Sequence, residues 1–151
     1  MPVRGLVLDT NVVLDLVVFG DPRVQRIAQA IASGAAMPVA TRACLEELRR
    51  VLGYPRLKLD AAGRREAFER FRSQATLLEV PVALEREGLP LCSDADDQKF
   101  LDLAWHAKAH SLVTRDKALL GMARAIARRG GFAVVRPEGF DPGPAAPIQF
   151  P

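Results

Sequence analysis

Apolar and polar positions along the chain follow two rhythms. Short apolar runs over Leu6–Asp9, Met37–Ala40, Ser111–Thr114 and Phe132–Val135 read as strands buried on both faces. Thr76–Val82 is strand-like as well, with Pro81 marking an edge or an early end. Between these lie stretches of helical spacing: Thr10–Val18, Pro22–Ala32, Thr41–Leu52, Asp60–Ser73, Ser93–Lys108 and Lys117–Arg128. Gly53 and Pro55 close the third of them, because proline cannot continue a helix and glycine relaxes its end. Strand alternating with helix predicts an α/β domain. Its sheet is central and parallel, of about four to five strands, with helices on both faces. The domain is expected to span residues 1–136. Residues 137–151, rich in Pro, Gly and Ala, read as an irregular tail, either flexible or laid against a partner.

The helical stretches also sort their polar residues by face. In Thr41–Leu52 the buried stripe is Cys44, Leu45, Leu48, Val51 and Leu52. Glu46 points away from it, four residues before Arg50, as a surface ion pair would. Glu47 flanks the stripe and is placed to reach inward. In Ser93–Lys108 the stripe is Phe100, Leu101 and Ala104, and Asp97 lies on that face one turn earlier. Asp94 shares the face, but Ser93 or Asp94 is also the natural cap of the helix. Asp96 and Asp102 point elsewhere.

Composition changes this picture little. The chain has 151 residues, enough to bury a core as one domain, and its 49% hydrophobic and 26% charged residues are ordinary for a globular protein. No apolar run approaches the roughly 20 residues of a membrane span, and the N-terminus reads as a strand rather than a leader. Cys44 and Cys92 are too few for a disulfide scaffold, so a reduced, cytoplasmic protein is expected. The net charge of +3 permits a nucleic-acid partner without requiring one. Its distribution says more. Arginines crowd Arg49–Arg72 and Arg124–Arg136, whereas Asp94, Asp96, Asp97 and Asp102 form an acidic knot. That suits an enzyme binding a polyanion around a cation, although solvated helix faces would carry the same charges.

Asp9 ends the first strand, and Asp116 stands two residues past the strand Ser111–Thr114. Open parallel sheets bind ligands beyond the carboxyl ends of their strands, so neighbouring strands would bring both acids to one crevice. Taken singly, each is more often a helix cap or turn residue than a ligand. With Glu47 and Asp97 reaching inward they form a carboxylate cluster, costly to bury unless a cation neutralises it. Oxygen donors of this kind suit Mg²⁺ or Mn²⁺, whose bound waters are natural nucleophiles for phosphodiester hydrolysis.

Four stretches carry a resemblance: LVLDTNVVL, ATRACLEELRRVL, DADDQKFLDLAWHAKA and SLVTRDKALL. In this order they resemble the PIN-domain family, and most of all the toxins of bacterial toxin–antitoxin pairs known as VapC-like ribonucleases. The resemblance implies a Mg²⁺- or Mn²⁺-dependent endoribonuclease whose acids fall on Asp9, Glu47, Asp97 and Asp116, with Asp94 a further candidate ligand. It implies supporting roles for Thr10, Asn11 and Thr114. It also implies an RNA substrate, an antitoxin protein as partner, and a homodimer. Arg42 and Arg115 adjoin the implied ligands and are candidates for holding phosphates, and Arg64 and Arg65, with Arg70 and Arg72, for a basic stripe along RNA. Plain surface arginines are the alternative for both sets.

Other readings fit less well. His106 and His110 have a zinc-capable spacing but lack a third ligand. Trp105 reads as helix packing before base stacking. A haloacid-dehalogenase-type phosphatase would need an acid where Asn11 stands, and the acidic pair of a receiver domain is missing. The competing function is a non-catalytic module with the same fold that binds RNA or an antitoxin without cutting.

Overall fold

The computed structural model describes residues 4–80 and 91–141. Five strands form one parallel sheet: β1 (Arg4–Leu8), β2 (Ala36–Ala40), β3 (Thr76–Leu77), β4 (Ser111–Val113) and β5 (Ala133–Val135), in the order β3-β2-β1-β4-β5. In β1, Leu6 and Val7 are successive residues and both are buried, as are Leu112 and Val113 in β4. Successive side chains point to opposite faces of a sheet, so the central strands are covered on both. This is the α/β architecture the alternating pattern predicts.

The helices are α1 (Thr10–Leu14), α2 (Gln25–Ala32), α3 (Arg42–Leu52), α4 (Ala61–Gln74), α5 (Gln98–His106), α6 (Lys117–Leu120) and α7 (Ala123–Arg128). Among the described residues no helix is long and apolar enough to cross a membrane. Three helices differ from the periodicity in instructive ways. The first widens after Leu14 into a π-turn over Asp15–Phe19, where the Asp15 carbonyl accepts from both Gly20 and Asp21. Gly20 then turns left-handed at φ 58°, a conformation glycine enters without a Cβ penalty. The expected helix Ser93–Lys108 begins as a 3-10 turn over Ala95–Asp97 and ends when Lys108 enters the left-handed region. The stretch Lys117–Arg128 is two helices, parted at Gly121 and Met122, whose amides bond back to Lys117 and Leu119.

At the C-terminal side, Pro137–Gly139 forms a 3-10 turn and Phe140 is fully buried, its ring edge-on to His110 at 6.3 Å. The folded unit therefore continues past the boundary drawn at Arg136. Residues 142–151 of the expected tail, and the Pro81 and Val82 end of the expected strand, lie outside the described residues.

Candidate active site

In the strand order, β1 is flanked by β2 on one side and β4 on the other, so the chain reverses direction across the sheet at β1. A crevice opens at such a reversal, beyond the carboxyl ends of the strands. Leu8 pairs with Val113, and the Asp9 amide donates to the Val113 carbonyl at 3.0 Å. Both central strands thus end side by side. Thr114, with no exposed surface, ties them together: its hydroxyl donates to Asp9 Oδ2 at 2.8 Å and accepts from the Asp116 amide at 3.0 Å. Asp116 in turn caps α6 by accepting from the Ala118 amide.

A cleft of about 480 Å³ sits over these strand ends. The sequence candidates Asp9, Glu47, Asp94, Asp97 and Asp116 all line it, as do Thr10, Asn11 and Arg115. The facial argument on α3 holds. The Glu46 side chain is 68% exposed and that of Glu47 only 15%. The pairing differs, however: Glu46 binds Arg42 at 3.2 Å, while Arg50 approaches Glu47 at 3.8 Å. Asp94 acts as a cap, accepting from the Asp96 amide, and also borders the cleft.

Of the candidate arginines, three stand elsewhere. Arg42 is on the outer face of α3, and the exposed Arg64 and Arg65 lie on α4; none of them lines the cleft. Arg115 does, but its guanidinium pairs with the buried Asp15 carboxylate at 2.9 Å. His106 is the last residue of α5, and His110 lies beyond the left-handed Lys108, so the two do not share a helix face.

The acids strain against one another. Burial raises the pKa of Asp9, opposed by the Thr114 hydrogen bond and reinforced by the charges of Glu47 and Asp116. Burial and a hydrogen bond to Asp116 push Asp97 up to about 7, helped by the charges of Asp9, Asp116 and Asp94. In the stability of the protein this has a definite sign. Between the ordinary value of 3.8 and about 7 the native Asp97 keeps a proton that the unfolded chain has lost. That advantage is complete below the lower value and disappears as pH rises through the upper one. In EDTA, wild-type Tm measured relative to Asp97→Asn should therefore fall between pH 5 and pH 8. A constant difference across that range would contradict the mutual proximity of these carboxylates.

Lys99 is the residue the sequence reading missed. Its Nζ donates to Glu47 Oε1 at 2.7 Å and to the Asp96 carbonyl, joining α5 to α3. Glu47 Oε2 accepts from the Thr10 hydroxyl. Glu47 is thus held by a lysine cation and a hydroxyl at once. Lys99→Met should destabilise the protein in EDTA by about 1–2 kcal/mol, less than a fully buried pair costs because Arg50 stands close enough to take part of the load. Urea denaturation measures it, and an unchanged midpoint would mean that the contact does not restrain Glu47.

Among the described residues no group of three or more His, Cys, Asp or Glu side chains stands ready-made to ligate one ion. Lys99 and Thr10 hold Glu47, and the α6 amide takes one oxygen of Asp116. In chemistry the donor set nonetheless fits a hard divalent cation. Every donor is a carboxylate oxygen, the donor type such ions prefer, and burial, with the neighbouring carboxylate charges, raises both Asp9 and Asp97.

Comparison with known proteins agrees with this fold. No curated protein sequence matches the chain. The crystal structure of VapBC2 from Rickettsia felis, bound to a DNA fragment from their promoter, contains a chain that superposes with a TM-score of 0.57 at 14% identity. The match covers 87% of this chain and 98% of that one, and at such identity the likeness is one of fold. A model of the PIN domain matches residues 5–118, a stretch that begins in β1 and reaches just past Asp116. The chain belongs to the PIN-domain family.

Proposed function

We propose that the protein is an endoribonuclease that hydrolyses phosphodiester bonds with Mg²⁺ or Mn²⁺. The observation that carries this reading is the convergence of Asp9, Asp97 and Asp116 at the ends of β1 and β4, with Glu47 facing them from α3. PIN domains are generally nucleases, and the family match spans all four acids. Asp9, Asp97 and Asp116 would hold the cation, with Glu47 completing the set and Asp94 at its border. Such an ion supplies Lewis acidity and a lowered pKa for bound water.

The protein's own groups do the rest. Thr114 fixes the Asp9 carboxylate and the backbone that carries Asp116, so two acids from distant parts of the chain keep one spacing. Thr10 and Lys99 orient Glu47. Asn11 is exposed at the start of α1 and lines the cleft, where it would meet the substrate.

The same reading makes the chain the toxin of a toxin–antitoxin pair, working in the cytoplasm, with an antitoxin protein as partner and a homodimer as its assembly. The sequence resemblance and the shared fold with VapBC2 support this. The deciding experiment incubates purified protein with a pool of RNAs in magnesium, manganese or EDTA. Cleavage in the metal lanes alone is the expected result. Absence of cleavage from protein whose melting temperature still rises with metal would favour the module that binds without cutting.

A further inference from the structure

The wall of the cleft beside Glu47 is not acidic. It is made by Arg50 on the last turn of α3 and by Tyr54 and Arg56 just beyond it. Tyr54 remains 39% exposed, and the Arg56 guanidinium lies 5.5 Å from its ring centroid. We propose that this wall is a subsite for one unpaired nucleobase of single-stranded RNA, stacked on Tyr54, with Arg50 and Arg56 on the phosphates beside it. The proposal rests on the nuclease reading and adds to it three substrate-positioning residues.

The support under the ring is rigid. The Tyr54 amide donates to the Val51 carbonyl at 3.0 Å, and its own carbonyl accepts from Leu57 at 3.0 Å. Pro55 opens the following 3-10 turn and fixes the backbone there. A ring presented on a tied turn loses little freedom when a base settles on it. Isolated exposed aromatics are common and need no explanation. This one, however, lines a cleft between two arginines and a bank of carboxylates, which is the pattern of a stacking platform beside a backbone track.

The charges are also distributed for this role. Arg115 has its guanidinium against Asp15, so its charge is already matched inside the protein. Arg50 is 68% exposed on the last turn of α3 and only 3.8 Å from Glu47, so it bridges the acidic floor and the aromatic wall. A base inside a duplex has both faces covered by its stacked neighbours, so the ring can take only a base that has left the stack.

The test uses the Asp9→Asn protein in magnesium, so that binding is read without cutting. Anisotropy of a short labelled single-stranded RNA is measured with Tyr54 intact and with Tyr54→Ala, Tyr54→Leu, Tyr54→Phe and Arg56→Gln added. Loss of one stacked base predicts affinity lower by about 5- to 100-fold for the alanine and leucine variants, and retained affinity for phenylalanine. Arg56→Gln should flatten the salt dependence by about one phosphate contact. The same RNA annealed as a duplex should bind equally to all Tyr54 variants. Leucine as good as tyrosine, or equal losses on duplex and single strand, would overturn the subsite while leaving the nuclease reading in place. No binding of single-stranded RNA by the parent protein would likewise overturn the subsite, whereas failure of the wild type to cleave the RNA pool in either metal would remove the nuclease reading itself.

Discussion

Asp9→Asn is expected to abolish metal-dependent RNA cleavage while leaving the fold intact. Loss of an outer-shell partner of a metal costs about 10- to 100-fold, so loss of a carboxylate ligand should exceed about 100-fold. The side chain is 6% exposed at the end of the central strand, and the amide keeps an oxygen able to accept from Thr114. The substitution also removes a charge that burial already disfavours. In EDTA the variant should therefore melt at the wild-type temperature or above it. The rise in melting temperature that magnesium gives the wild type should be mostly lost. Opposite signs in the two conditions separate a ligand from a structural residue, since a structural aspartate would lower stability in both. Cleavage undiminished in the variant would mean that another nuclease is in the preparation or that Asp9 holds no metal.

The largest effect on stability is expected from Phe140→Ala, at about 3–5 kcal/mol. Total stabilities of about 5–15 kcal/mol make that a large share. Phe140 is wholly buried, edge-on to His110, and its amide donates to the Pro137 carbonyl. Truncation leaves a cavity in a region where the 3-10 turns Pro22–Val24 and Pro137–Gly139 meet, and neither turn has the length to collapse into it. Urea denaturation followed by far-UV circular dichroism gives the value. A change below about 1 kcal/mol would place everything after Arg136 outside the cooperative unit.

That residue also shows where sequence reasoning stops. Pro, Gly and Ala around it read as a tail because local composition cannot reveal which aromatic finds a distant pocket. The strands were legible for the opposite reason: Leu6–Leu8 and Leu112–Val113 are buried on both faces, and an unbroken apolar run is the direct imprint of that. Helical phase distinguished Glu47 from Glu46, since phase is a local property. It could not identify Lys99, which reaches across 52 residues of sequence to Glu47. Nor could it foresee the π-turn at Asp15, whose carboxylate meets Arg115 from a distant part of the chain. Arg50, three residues from Glu47, was within reach of the same phase argument but was assigned to Glu46. Tyr54 and Arg56 fall after the helix, where periodicity has no more to say.

The Thr114 bridge also sets a timetable. It joins residues 105 positions apart, and β1 lies beside β4 only once that bridge can form. A ribosome delivers Asp9 early and Asp116 late, and parallel pairings of such span are slow to assemble even in a finished chain. While it is being made, the polypeptide therefore carries unmatched halves of its cleft. On the nuclease reading proposed above, the transcript it is read from is spared until Asp116 has been translated.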